Sequence, residues 1–294
     1  MQKPKLTQKL EIDALGTRWW IEAECDSKIL AHAEQTIVDF QNDHSRFLTE
    51  SYIGKLNDNK VLDNPPQELV KMLEYQRDMF HATNGVFNCT VGGVLENQGY
   101  GLPGRAATLQ QDIDAAITIS PGKITLSRDT GIDLGGFGKG WLIDKLAKLL
   151  KESGCSAFLI NGGGDILVGT QGEDLFVEHP HDPGSFIGKV FVQNGALASS
   201  STEKRRWKMN DSTYTHIVDT NQDSTDSELS IASVHVRADT ALLADTLATV
   251  FLIVGHEKRL ELAEKFGVSF LEVFKNDTLW ATHAFGYQNS KSSM

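Results

Sequence analysis

Residues 132–144 read IDLGGFGKGWLID, an acidic residue and four glycines set directly ahead of a helical pattern. Asp133 is followed by Gly135, Gly136, Gly138 and Gly140, with Lys139 among them. Lacking a Cβ, glycines let main-chain N–H and C=O groups approach a phosphate or a metal closely. The same pattern also serves as an ordinary strand-to-helix connector. Beyond it, Leu142, Leu146, Leu149 and Leu150 share one helical face, and Ser153-Gly154 closes the helix. A second Gly-rich turn, Asn161-Gly162-Gly163-Gly164-Asp165, joins apolar strands predicted over 157–160 and 166–168. Two Asp-bearing turns flanking one helix are placed to share a pocket.

The remaining pattern fixes the fold class. A strand is predicted over 17–24, then a helix carrying Leu30, Ala33, Ile37 and Phe40 on one face. Residues 43–57 read as a polar loop leading to a short element. A helix follows Pro65-Pro66, with a buried stripe of Leu69, Met72, Leu73, Met79 and Phe80, and stops at Asn84-Gly85. Residues 85–101 hold five glycines, which suggests backbone folded tightly around something. A hairpin turns at Pro121-Gly122, strands occupy 175–192, and a short strand is predicted over 215–220. A helix over 258–266 and strands over 268–274 and 279–285 close the chain. The basic run at 204–206 reads as a solvated face, and His179 and His181 are given no role. Strands and helices do not alternate regularly, so one α+β domain with antiparallel or mixed sheets flanked by helices is expected over 15–294, behind an N-terminal extension, 1–14.

Composition narrows the partners. The chain of 294 residues is 40% hydrophobic and 23% charged, within the globular range, and its formal net charge is -11. That field disfavours nucleic acid and anionic membrane surfaces, so any anionic ligand must be held locally. The three cysteines are far apart without metal-ligand spacing, which suits a reducing compartment. The first residues have no apolar signal region, and the apolar run 241–255 is shorter than the roughly 20 residues that span a bilayer. A cytoplasmic protein without membrane insertion is expected.

The helix predicted over 239–254 is nearly all apolar, and Asp245 is its only ionisable side chain between Asp239 and His256. A buried lone carboxylate is costly unless it is paired, hydrogen-bonded or metal-bound. Thr249 stands one turn on, on the same face, so the two oxygens suit a hard cation such as Mg²⁺. The alternative is that Asp245 caps a loop or pairs with a base.

Taken in order, IDLGGFGKGWLID, INGGGDILVGT, HIVD and ADTLATVFLIVG resemble the ApbE family of FAD:protein FMN transferases. ALGTRW, SRFLTESYIGKLN and GVFNCTVGGVLENQGYG are weaker echoes of the family's earlier motifs. The resemblance implies an ApbE-like (T-fold-like) architecture. It also implies an enzyme that cleaves FAD with Mg²⁺, releases AMP and attaches FMN through a phosphoester to a threonine of an acceptor flavoprotein. By the same resemblance, Leu15, Phe47, Phe87, Asn88, Thr90, Asp133, Lys139 and Ile217 would contact FAD. The carbonyl of Gly136 would join Asp245 and Thr249 on Mg²⁺, and His216 would be the base that activates the acceptor hydroxyl. The chain departs from the family pattern at Phe47 (Tyr in many members), Asn88 (usually Asp), Gly93 (commonly Pro) and Gln98 (commonly Trp), and after Asp219. Two alternatives stand beside transfer: an FAD-binding carrier, and an FAD pyrophosphatase that releases FMN and AMP.

Overall fold

A computed structural model describes residues 7–102, 105, 107–182, 184–203, 206–209, 212–215, 217–218, 220 and 231–289. The chain divides into two compact units, Met1–Val38 with Phe137–Lys204 and Ser224–Met294, and Asp39–Gly136 with Arg205–Asp223.

The first unit opens with β1 (Gln8–Ala14) and β2 (Thr17–Ala23), an antiparallel pair joined by Leu15-Gly16. Both turn residues have positive φ, 53° and 69°, the conformation that lets a two-residue hairpin follow the strand twist. The sequence reading placed only β2. In β1 the alternating Leu10 and Ile12 are half-buried, so its pattern is shallow. Helix α1 (Ser27–His44) buries Leu30, Ala33, Ile37 and Phe40 as their spacing predicts, and the division between units falls within it.

The second unit continues with α2 (Tyr52–Asn59), β3 (Val61–Asp63) and α3 (Gln67–Ala82). Helix α2 begins inside the stretch 43–57, read as a loop leading to a short element, and runs past its end. Ser51 starts it, its Oγ accepting from the Gly54 N–H at 2.8 Å. Next come α4 (Gly92–Asn97), α5 (Ile113–Ala116) and the hairpin β4 (Ile117–Ser120) and β5 (Lys123–Leu126), with β5 at the centre of a three-stranded sheet.

The first unit resumes with α6 (Gly138–Glu152), β6 (Phe158–Gly162), β7 (Asp165–Val168), β8 (Glu173–Glu178), β9 (Phe186–Val192) and β10 (Gly195–Ser201). In the second unit, β11 (Arg206–Met209) and β12 (Ser212–Thr215) form a ribbon. The strand expected over 215–220 is not formed by the described residues of that stretch, since β12 ends at Thr215 and Ile217 and Val218 lie outside any strand. The first unit then ends with β13 (Ile231–Ala238), α7 (Ala241–Ile253), α8 (His256–Phe266), β14 (Ser269–Phe274), β15 (Leu279–Ala281), a 3-10 turn (His283–Phe285) and β16 (Tyr287–Asn289). The single strand expected over 279–285 is thus cut short by that turn, which exits through Gly286 at φ 74°.

An eight-stranded sheet in the order β1-β2-β6-β7-β10-β13-β14-β15 is the frame of the first unit. Every pairing in it is antiparallel, the α+β arrangement expected from the irregular order of elements. Helices α6 and α7 pack on each other, α6 lying against β6 and β7 and α7 against β10 and β13. A Cβ at Gly140 would collide with the Ala241 carbonyl, so this glycine allows the two helices their close crossing. A second core, including Leu175, Val190, Leu271 and Phe285, seats the β16-β9-β8 sheet.

Candidate active site

In the first unit three chain segments converge on one ammonium. Lys139 lies in the first turn of α6, and its Nζ stands 3.1 Å from Asp245 Oδ1 on α7. The same Nζ forms a close ion pair with Asp165 Oδ2, at the start of β7. Asp245 Oδ2 accepts from the Gly140 N–H at 2.9 Å, one of the amides a helix start leaves without an intrahelical partner. Asp165 Oδ1 accepts from the Ser199 N–H of β10 at 3.2 Å. The Gly-rich turn before Asp165 is tied by the Gly164 N–H donating to Asn161 Oδ1 at 2.8 Å. A carboxylate of α6, Asp144, accepts from the N–H groups of Ala241 and Leu242 at 2.9 and 3.0 Å and so helps cap α7.

Burial makes this cradle electrostatically demanding. The Asp165 and Asp245 side chains are 4% and 5% exposed and that of Lys139 is 21%. Burial pushes the Asp245 carboxyl up to about 7; the Lys139 ammonium opposes that rise and the Asp165 carboxylate adds to it. Burial works against the Lys139 charge, but the two carboxylates outweigh it and hold the ammonium protonated. With both carboxylates ionised, the cluster keeps one negative charge beyond the lysine. Asp165 Oδ2 has the Lys139 ammonium as its partner. Buried hard oxygens with surplus negative charge fit a divalent cation chemically. Thr249, half-buried, is one turn beyond Asp245 on the same helix. Among the described residues no group of three His, Cys, Asp or Glu side chains forms a metal cage.

The second unit gathers a different set. Asn57 clamps the backbone of Ile132, its Nδ2 donating to the Ile132 carbonyl at 2.9 Å while its Oδ1 accepts the Ile132 N–H at 2.8 Å. The Asp133 N–H donates to the Cys89 carbonyl at 2.8 Å, which brings the two Gly-rich segments of this unit side by side. Asp133 pairs with buried Arg46 through Nε and accepts from the Gly135 N–H. Arg46 also donates to the Tyr100 carbonyl at 2.7 Å and reaches Glu96 at 3.4 Å. Its guanidinium lies 4.2 Å from the Phe47 ring centroid, and Tyr100 stacks on Trp207 at 4.8 Å. The result is an aromatic face, with Phe47 45% exposed, braced by a buried Arg-carboxylate network.

The expected site residues therefore separate by unit. Lys139, Asp245 and Thr249 belong to the first, with Leu15 in its β1–β2 turn. Phe47, Phe87, Asn88, Thr90, Asp133 and Ile217 belong to the second, and Gly136 is its last residue before α6. Asn88 Oδ1 accepts from the Thr90 N–H and hydroxyl at 2.9 and 2.7 Å, and Thr90 Oγ1 accepts the Gln110 N–H at 2.9 Å. These two side chains hold the loop together, and Phe87 is buried beside them in sequence. Ile217 receives the Thr215 hydroxyl on its carbonyl at 3.1 Å. His216 lies outside the described residues. Sequence reasoning placed the Gly-rich turn that carries Asp165 near the same pocket but gave Asp165 no role of its own. It missed Arg46, whose signal was an arginine set directly before an aromatic residue.

Fold and site together define an α+β protein with a buried Lys–Asp–Asp cluster at a helix start in one unit and an aromatic face backed by arginine in the other. The chain belongs to the ApbE family, whose model matches residues 15–271. It is 23% identical to the FAD:protein FMN transferase of Haemophilus influenzae over 96% of this chain and 90% of that one. It is 24% identical to the FAD:protein FMN transferase of Escherichia coli strain K12, over 93% and 86%. Among solved structures it resembles the ApbE protein of Thermotoga maritima, with a TM-score of 0.82, 20% identity and coverage of 96% and 99%. The flavin transferase ApbE from Vibrio cholerae aligns with a TM-score of 0.77, 19% identity and coverage of 95% and 97%.

Proposed function

We propose that this chain is a Mg²⁺-dependent FAD:protein FMN transferase that moves FMN from FAD to a threonine hydroxyl of an acceptor flavoprotein and releases AMP. The observation that carries the reading is the Lys139–Asp165–Asp245 cradle. With both acids ionised the cluster carries one surplus negative charge, which suits a divalent cation, and that cation would in turn offset the charge of a diphosphate. Asp245, Thr249 and the Gly136 carbonyl would hold Mg²⁺, with Asp165 as a further carboxylate of the cradle. Bound there, the ion would neutralise diphosphate charge and stabilise the leaving AMP.

The protein's own groups do the rest. In the family position that His216 occupies, an imidazole takes the proton of the acceptor threonine, whose oxygen attacks the FMN phosphorus as AMP departs. The face of Phe47, Tyr100 and Trp207 offers stacking for a flavin or adenine ring, and Asp133, Asn88 and Thr90 shape the loops beside it. Leu15, Phe87 and Ile217 complete the FAD contacts that the family motifs imply. Among the described residues no helix is long and apolar enough to cross a membrane, and all three cysteines are free, which fits the cytoplasmic location we infer.

The test mixes protein, FAD, Mg²⁺ and a candidate acceptor, then looks for flavin fluorescence on the denatured acceptor and for AMP. Labelling by wild type and its loss in Asp245→Ala is expected. Equal labelling by the two would sink the metal assignment, and FMN and AMP released with no acceptor present would mark a pyrophosphatase.

A further inference from the structure

Cys25 and Cys155 are 130 positions apart in sequence but neighbours in the first unit. Strands β2 and β6 pair in register from Trp19 opposite Gly162 to Ala23 opposite Phe158. One residue beyond, the Glu24 N–H donates to the Ala157 carbonyl at 3.0 Å, so the two chains are still joined where Cys25 and Cys155 follow. The Cys155 N–H is itself fixed, donating to the Leu150 carbonyl at 2.9 Å as α6 ends. Cys25 is half-buried and Cys155 buried, and the Cys155 thiol is close enough to act electrostatically on that of Cys25. Cys89, also buried, belongs to the other unit.

We propose that Cys25 and Cys155 are a redox pair that closes to an intramolecular disulfide, stapling the end of β2 to the segment between α6 and β6. With a low-molecular-weight disulfide as oxidant, Cys25, the more accessible thiol, attacks one sulfur of the reagent. A mixed disulfide forms, the reagent's S–S bond breaks and one small thiol leaves with the Cys25 proton. Cys155 then attacks the Cys25 sulfur, and the second small thiol leaves with the Cys155 proton. Two protein thiols are oxidised and one reagent disulfide is reduced to two thiols. Burial and the neighbouring Cys155 hold the Cys25 thiol up at about 11, so closure is slow at neutral pH. The pair thus responds to sustained oxidation rather than to a brief pulse.

The experiment incubates folded protein with oxidised glutathione and digests it without reduction. Mass spectrometry should find a peptide pair joined through Cys25 and Cys155, with Cys89 left reduced. Closing so long a loop should raise the thermal midpoint by about 5–10 °C. Dithiothreitol should reverse the rise, and Cys25→Ser, whose reduced fold is checked by near-UV circular dichroism, should not show it. Wild type that keeps glutathione on Cys25, links either residue to Cys89, or shows no mass change under an oxidant that fully converts the unfolded chain would overturn the pairing.

Discussion

Replacing Lys139 with methionine keeps the length and apolar stem of the side chain and removes the ammonium that Asp165 and Asp245 share. Two carboxylates, 4% and 5% exposed, would then face each other without it. Breaking a buried ion pair by deleting one partner typically costs about 3–5 kcal/mol. The loss must depend on pH, because one of the two acids can escape by keeping its proton. In wild type the Asp245 carboxyl is already raised from 3.8 to about 7. A carboxyl with a raised folded pKa favours the folded state below its unfolded pKa, and that contribution is lost as pH rises through the folded pKa. Wild type therefore loses stability across the window from 3.8 to about 7. In Lys139→Met the folded pKa climbs further, so the loss continues above that window at about 1.4 kcal/mol per pH unit. Urea denaturation in EDTA at pH 6, 7 and 8 reads this directly. The gap between variant and wild type should widen by about 1 kcal/mol from pH 7 to pH 8, because wild type is still completing its own titration there. Mg²⁺ should then stabilise the variant, by about 2.7 kcal/mol at a hundredfold excess over its Kd. A gap that is constant over this range and indifferent to Mg²⁺ would refute the shared-ammonium account.

The other predictions concern parts that hold the sites in place. Gly140→Ala, by pushing a Cβ into the Ala241 carbonyl, should cost about 1–3 kcal/mol and lower the thermal midpoint. Asp144→Ala removes part of the cap of α7, so calorimetry should show a loss of about 1–2 kcal/mol. Arg46→Leu strands Glu96 and Asp133 and should cost about 3–5 kcal/mol in urea titrations, with part of the loss recovered in Arg46→Leu/Glu96→Gln. No recovery in the double variant would show that Arg46 acts through packing.

How much of this was legible follows from the range of the interactions. Local signals carried well. The Leu142–Leu150 face, the Pro65-Pro66 start, the Asn84-Gly85 stop and the Pro121-Gly122 hairpin each sit where their spacing put them, because each is decided within a few residues. Helix α2 was hidden because its apolar residues, Ile53 and Leu56, are few and its start depends on one serine cap. Pairings between distant segments were not written locally at all. Nothing near Cys25 points to Cys155, and the two Gly-rich turns suggested a shared pocket for Asp165 without naming Lys139 as its partner. The fold makes both meetings, by running β6 beside β2 and laying α6 against β7.

Asp245 shows where local reading can still reach across the chain. The expectation left open two fates for this lone acid on an apolar helix, a metal or a base with a cap. The structure gives it a base and a backbone amide, Lys139 Nζ and the Gly140 N–H. These two partners are consecutive residues, and that constrains the rest. An amide at a helix start can face a neighbouring helix only if that helix comes close, and the missing Cβ of Gly140 is what permits the approach. Asp144, one turn on, then fixes the axial position of α7 by capping its first amides. Two local requirements, a glycine at the crossing and an acid one turn later, thus set the position of a carboxylate 105 residues away. The base and the metal are also not exclusive fates. A lysine that neutralises only one of two buried carboxylates leaves a charge that a divalent cation can balance, and the cation's own surplus can then be met by a diphosphate. On this reading the pairing with Lys139 holds the cluster in place, and its surplus charge is what the proposed cation would balance.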